Sequence, residues 1–372
     1  MNYKKIVSFL MRNIVLVTAV FAAAVTSFVV PPDSTYFTYF DFKTLTCLFC
    51  VLAVVCAFRN INFFYILAKK IVKCFKNIRL AVLALVYITF IGSMFIANDM
   101  ALLTFLPLGY FVLKSTGNSR YMAFTFIMQN IAANLGGMLT PFGNPQNLYI
   151  YSKFHIENAE FMKIMFPPFV IAIVMITVCC LCIKDTPLEI KDEPVEFNYK
   201  KAFVYTILFV LSIAIVFRGI PYRVGLIVIP PVLFFMDRKA LKMVDYPLLF
   251  TFVAFFIFSG NMSRIPFIQN IFNFLLSKST LCFSILSCQF ISNVPSAILL
   301  SQFTDNYRDL LLGVNIGGVG TLISSLASLI TLREYTKHNP RETVSYIKMF
   351  SAFNFGFLAV LTVAMILING SI

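Results

Sequence analysis

Tryptophan is absent from the chain, and histidine occurs only at His155 and His338. With both histidines in loop-like sequence, a Ser/His/Asp hydrolytic constellation has no base to build on. The nine cysteines sit in apolar runs such as TCLFCVLAVVC and VCCLC, and no CxxC pair faces a matching pair. Neither a zinc cage nor a disulfide framework is therefore expected, and the thiols read as buried packing groups. No GxxxxGK[ST] loop is present, so a nucleotide-hydrolysing P-loop site is not expected. Charge is scarce too: 12% of the residues are charged, with 16 acidic against 30 basic.

What fills the chain is apolar. Hydrophobic residues make up 59% of the 372, 43 of them Phe, and the mean hydropathy is +0.86, far above the roughly 45–50% apolar share of a soluble domain. The fold expected is an all-α polytopic membrane protein with a single membrane domain over residues 1–372. The net charge of +14 then reads as the basic excess that holds loops in the cytoplasm, not as a nucleic-acid footprint. The N-terminal stretch VTAVFAAAVTSFVVPPD lacks a clean cleavage site and reads as a retained first span.

Apolar runs bounded by charges predict nine full spans: 13–30, 41–58, 120–150, 159–183, 200–217, 219–236, 244–262, 308–334 and 344–367, with 120–150 and 308–334 broken. Two further pairs, 78–97 with 100–114 and 279–292 with 294–304, are split by IANDM and ISNVP and read as re-entrant hairpins; counting them as spans gives 10–11. This layout puts 22 of the 30 basic residues on one side and seven on the other, which makes the richer side cytoplasmic and places the N-terminus there. Residues 59–77 read as a helix lying flat on that surface.

The stretch 134–147, NLGGMLTPFGNPQN, holds three Gly, two Pro and three Asn inside apolar sequence. Such a run ends an ordinary helix, and it has a twin. NLGGMLTPFGN (134–144) aligns without gaps to NIGGVGTLISS (315–325), FIANDMALLTFLP (95–107) to FISNVPSAILLSQ (290–302), and DFKTLTCLF (from Asp41) to DYPLLFTFV (from Asp245). Three blocks in one order predict a repeat: a first copy at 1–183, a linker and connecting span at 184–218, and a second copy at 219–372. The extra span makes the second copy inverted, the layout of secondary transporters.

Irregular backbone at membrane depth survives only where it lines a cavity, so each break predicts a site. Half-helices starting near Asp99, Val294, Gln146 and Leu326 aim free N–H groups and positive dipole ends at the centre, where an anion binds without a buried Arg or Lys. Asn98, Thr140, Asn144, Asn147, Asn293, Asn315, Thr321, Ser324 and Ser325 supply neutral oxygens and donors for a hydrated anion or Na⁺. Asp99 reads as the N-cap of MALLTFLPL and, as an ionisable group at depth, as a proton or cation relay. The Gly pairs 136/137 and 317/318 serve either tight packing or close approach to a ligand.

TPFGNPQN, ISNVPSAILLS and GVNIGGVGTLISSLASLI together resemble the ion-transporter superfamily that includes citrate-transporter-like and divalent-anion/sodium symporters, arsenite permeases and some sodium/proton antiporters. The similarity covers roughly residues 10–370. It implies an inverted-repeat transporter with a scaffold and a mobile transport part, a secondary active carrier of a small anion coupled to Na⁺ or H⁺, with no other cofactor. A sodium/proton antiporter or arsenite efflux permease is the alternative. By resemblance, Asn98, Asp99, Gly143 and Asn144 form one ion site, with sodium expected at Asn98, Asp99 and Asn144, and Ser292, Asn293, Ser324 and Ser325 form its counterpart. The tips read Ala97-Asn98-Asp99 and Ser292-Asn293-Val294, where sodium-coupled dicarboxylate members carry Ser-Asn-Thr; the Asn-Asp form is closer to the arsenite-permease and antiporter branch. The partners implied are a small anion and the lipid of a prokaryotic plasma (inner) membrane, with a homodimer left open and no nucleic acid.

Overall fold

The computed structural model describes residues 13–187 and 198–370, and these contain eighteen α-helices and no strand. In chain order they are α1 (Ile14–Val29), α2 (Phe42–Asn60), α3 (Phe63–Lys73), α4 (Ile78–Ile96), α5 (Asn98–Ser115), α6 (Met122–Gly136), α7 (Pro145–Lys153), α8 (Asn158–Leu181) and α9 (Tyr199–Val216). They continue as α10 (Tyr222–Met236), α11 (Arg238–Lys242), α12 (Tyr246–Met262), α13 (Pro266–Lys278), α14 (Thr280–Ile291), α15 (Asn293–Leu300), α16 (Tyr307–Ile316), α17 (Leu326–His338) and α18 (Thr343–Asn369). Most of the stretch expected as a linker, together with the N-terminal basic residues Lys4, Lys5 and Arg12, lies outside the described residues.

Helices α2, α4, α8, α9 and the stretch Pro340–Ile368 that contains most of α18 are long and apolar enough to cross a bilayer. Helices α1, α10 and α14 are shorter apolar segments, while α12 and α13 meet that test together but bend by 98° at their junction. Large apolar side chains cover the outside: Phe28, Phe235, Phe290 and Leu367 are each more than 70% exposed. A soluble protein does not present such a surface to water, so this is an integral membrane protein.

The duplication in the sequence recurs as duplicated local structure. Asp41 caps α2 by accepting from Thr44 N at 2.9 Å, and Asp245 caps α12 by accepting from Leu248 N at 3.1 Å. Asp and Asn are favoured here because a short side-chain oxygen satisfies a first-turn N–H that has no helical partner. Helix α3, the expected surface helix, has a counterpart in α13 that the sequence reading left unassigned. Its signals were present: Pro at its first position and apolar residues at helical spacing in PFIQNIFNFLLSK.

The helix pairs α4–α5 and α14–α15 are each joined through a single residue, Ala97 and Ser292. Helix α5 returns beside α3, with Lys69 over the Phe111 ring at 5.8 Å. The segment after α15 returns beside α13, with Phe272 and Phe303 stacked at 4.6 Å. Polar contacts gather at two ends of the bundle. Asp237, Asn60 and Tyr205 join at one end, and Arg264 with Asp33 and Tyr39 at the other.

Candidate functional site

Each hairpin turns on a single residue forced to positive φ: Ala97 (φ 64°) and Ser292 (φ 75°). Non-glycine residues held there cost on the order of 1–3 kcal/mol and persist only when their surroundings fix them. The fixing is the same at both tips. Asn98 N donates to Gly143 O at 3.1 Å, and Asn293 N donates to Ser324 O at 2.9 Å. The next amides, Asp99 N and Val294 N, donate to Asn98 Oδ1 and Asn293 Oδ1, each at 2.9 Å. Each tip is thus hydrogen-bonded to the loop of the broken helix in its own half.

The two loops match as well. Thr140 Oγ1 donates to Met94 O at 2.7 Å, and Thr321 Oγ1 donates to Gln289 O at 3.0 Å, so both threonines anchor a loop to its hairpin arm. Asn147 Nδ2 gathers the carbonyls of Gly137, Met138 and Thr140, all within 3.3 Å. Gln289 does this work in the second half, donating to Gly317 O and Val319 O and accepting from Thr321 N. At Gly143 a Cβ would lie 2.3 Å from Gly137 O, so only glycine fits.

Polar side chains then tie the halves together. Asn134 Oδ1 accepts from Asn98 Nδ2 at 3.1 Å and from Ser325 Oγ at 2.8 Å. Asn315 Oδ1 accepts from Asn144 Nδ2 and Gln146 Nε2, both at 3.3 Å, and Asn315 Nδ2 donates to Asn147 Oδ1 at 2.6 Å. Asn134, Asn144, Asn147, Asn315, Ser324 and Ser325 are all 2% exposed or less, where an unmade hydrogen bond costs about 1–3 kcal/mol.

In front of this network lies a cavity of about 680 Å³, within the range of small-molecule sites. Its floor is Asn98, Asp99, Ser292, Asn293 and Ser325, and the first residues of α5, α7, α15 and α17 all reach it. Thr140, Gly143, Asn144, Asn147, Asn315, Thr321 and Ser324 stand behind the floor and hold it. Four converging helix N-termini, each equivalent to roughly half a positive charge, favour an anion.

The details differ from expectation in three respects. The tip amides are not free, since they close the turns described above; what reaches the cavity is the helix field. Asp99 is not an N-cap: Ala97 occupies that position, and Asp99 lies inside the first turn with Oδ1 buried and without a hydrogen-bond partner. The cavity also has cationic walls that were not foreseen, from Arg59, Lys242 and Arg333. These residues read as loop charges because each lies at or beyond the end of an apolar run.

Among the described residues, the buried oxygens without a hydrogen-bond partner also include Asn144 Oδ1 and Gln146 Oε1, and Gln146 lines the cavity along with Asp99. A carboxylate with amide oxygens is a hard donor set suited to a cation such as Na⁺. Asn98 Oδ1 is already engaged by Asp99 N, and Gln146 reads from the sequence only as the start of a half-helix, not as an oxygen donor.

The family model for the citrate transporter matches residues 6–306. An uncharacterized transporter of Methanocaldococcus jannaschii is 34% identical over 297 residues, 79% of this chain and 81% of that protein. The inner membrane protein YbiR of Escherichia coli is 29% identical over 281 residues, 73% of this chain and 74% of its own. The Na⁺/H⁺ antiporter NhaD of Vibrio parahaemolyticus matches over 104 residues at 33% identity, 28% of this chain and 25% of its own. With a matching model over most of its length and a cavity set between paired hairpin tips, this chain belongs to the citrate transporter family.

Proposed function

We propose that the protein is a secondary active transporter that moves a small anion across the plasma membrane, driven by a proton or sodium gradient. The observation that carries this reading is the cavity floor, where four helix N-termini and the two tips Asn98-Asp99 and Ser292-Asn293 meet. The helix field attracts an anion, and the lone carboxylate of Asp99 would repel it unless a proton or Na⁺ is bound beside it. That requirement is a coupling device: anion and cation stabilise each other's binding.

The matching tips, loops and caps support an inverted repeat, with 1–183 and 219–372 as its copies and 184–218 between them. Helix pairs α4–α5 and α14–α15 are then the re-entrant hairpins, and the side bearing Arg59, Lys242 and Arg333 faces the cytoplasm along with the N-terminus. In this reading the cavity is open to the cytoplasm. A second copy of the chain is a candidate partner.

The alternative is a sodium/proton antiporter or an arsenite efflux permease of the same superfamily. The partnerless Asp99 Oδ1 and the partial match to a Na⁺/H⁺ antiporter favour the former. Uptake into liposomes of citrate, succinate, sulfate, arsenite and phosphate, each under an imposed sodium or proton gradient, separates them. Gradient-driven accumulation of one of these anions is expected; sodium/proton exchange with none of them moved would establish the antiporter instead.

A further inference from the structure

A second cavity, of about 560 Å³, lies at the other end of the same helices, lined by Tyr39, Lys43, Tyr149, Ser152, Lys153 and Gln302. Helix α2 runs from one cavity to the other. Arg59 at its C-terminal end lines the first cavity, and Asp41 and Lys43 at its N-terminal end line the second. Its 19 residues span about 28 Å at 1.5 Å per residue, close to a bilayer's hydrocarbon thickness. Helix α12 is shared in the same way, through Thr251 to the first cavity and Gly260 to the second.

On α7 the partition between the cavities is thin. Gln146 lines the first and Tyr149 the second, three residues or about 4.5 Å apart along the axis. The Tyr149 ring packs on Phe256 with centroids at 5.6 Å, and Phe256 is also in contact with Phe252 and Phe40. Tyr149 OH is hydrogen-bonded to Ser301 Oγ at 2.9 Å, and Lys153 Nζ donates to the same Ser301 oxygen at 3.1 Å. Lys153 is half-buried and lies near the rings of Tyr149 and Phe154; among the described residues it makes no ion pair with a carboxylate. Arg264 in the same wall is paired with Asp33, and the Asp41 carboxylate is occupied in capping α2.

We propose that this second cavity is a binding site for a small carboxylate or oxyanion, with Lys153 as its cation, and that Tyr149 packed on Phe256 is the barrier between it and the central site. The proposal rests on the transport reading, since it takes the two cavities as the two accesses to one path. Lys153 Nζ gives one of its three protons to Ser301 Oγ, so an anion in the cavity can accept from the others while the Tyr149–Ser301–Lys153 cluster stays in place.

The test uses thiol labelling in liposomes and needs no known substrate. Gln302→Cys, beside the Lys153 partner Ser301, and Val294→Cys, on the central cavity, are made in full-length protein lacking the nine native cysteines. Methanethiosulfonates of opposite charge are then applied from each side. Gln302→Cys is expected to react from one side and several-fold faster with the negative reagent, a preference that Lys153→Met removes. Val294→Cys is expected to react from the other side only, and from both once Tyr149→Ala is added, with a monodisperse gel-filtration profile showing that the variant is folded. Tyr149→Phe keeps the ring and is expected to retain the barrier.

Labelling of both cysteines from the same side, equal rates for the two reagents, or one-sided labelling of Val294→Cys in folded Tyr149→Ala would overturn the proposal. Failure of anion uptake with this labelling pattern intact would instead count against the transport reading alone.

Discussion

Asn134 and Asn315 hold matching positions in the two broken helices, and each accepts a hydrogen bond from the loop of the opposite half. Ser325 Oγ reaches Asn134 Oδ1 at 2.8 Å, and Asn144 Nδ2 reaches Asn315 Oδ1 at 3.3 Å. Ser325 and Asn144 are themselves equivalent in the sequence alignment of the halves, so the exchange is reciprocal, as at a two-fold axis. Removing either acceptor leaves buried donors unpaired at about 1–3 kcal/mol. Asn134→Ala and Asn315→Ala are each expected to lower the melting temperature of the detergent-solubilised protein by several degrees, to a similar extent. A large drop in one with none in the other would show that the exchange is not balanced.

Gly143 differs from its counterpart Ser324 in having no room for a side chain. Its carbonyl holds the first hairpin tip through Asn98 N, while a Cβ would meet Gly137 O at 2.3 Å and Thr140 Oγ1 at 2.7 Å. Overpacking of this kind costs about 1–3 kcal/mol. Gly143→Ala is expected to reduce uptake about ten-fold or more in protein that still inserts, whereas Ser324→Ala, which loses only hydroxyl bonds to Gly318 O and Thr321 O, stays within a few-fold of wild type.

Much of this was legible in the chain. Gly, Pro and Asn clustered in apolar sequence mark a helix break whatever the surroundings, and the positive-φ turns at Ala97 and Ser292 fall where IANDM and ISNVP interrupt the apolar runs. Hydrogen-bond direction was not legible. Asp99 reads as a cap because Asp is a favoured cap, yet Ala97 takes the cap position and leaves the carboxylate to the cavity. Helix α13 was missed because its 13 residues carry too little apolar length to register as a span. Arg59, Lys242 and Arg333 converge only through tertiary packing, since they come from three distant helix ends.

Asp237 makes a pH prediction outside the bilayer. Burial pushes its carboxyl up, but hydrogen bonds from Asn60, Tyr205 and Ala240 N, with the Lys201 charge, outweigh this and leave it below the usual 3.8. A carboxylate depressed on folding contributes stability above its unfolded pKa and loses it as pH falls through the folded value. The melting temperature of wild type is expected to fall more between pH 5 and pH 3 than that of Asp237→Asn, which cannot titrate; parallel curves would show that these bonds carry no linkage.

Sidedness is checked by two exposed loops. Ser119→Cys, after the first hairpin, and Asp305→Cys, after the second, are expected to react with a membrane-impermeant maleimide from opposite faces, the former from the cytoplasm. Reaction of both from one face would rule out an inverted pair of hairpins.

Asp99 tests coupling most directly. Asp99→Asn preserves size and removes the charge, so it neither binds a proton nor attracts Na⁺. The decisive measurement compares wild type and Asp99→Asn in the same liposomes, first for exchange of the transported anion without a gradient and then for its accumulation under sodium and proton gradients. Exchange within a few-fold of wild type with accumulation abolished is the predicted result. Undiminished accumulation by Asp99→Asn under both gradients would contradict it and remove the carboxylate from the coupling site.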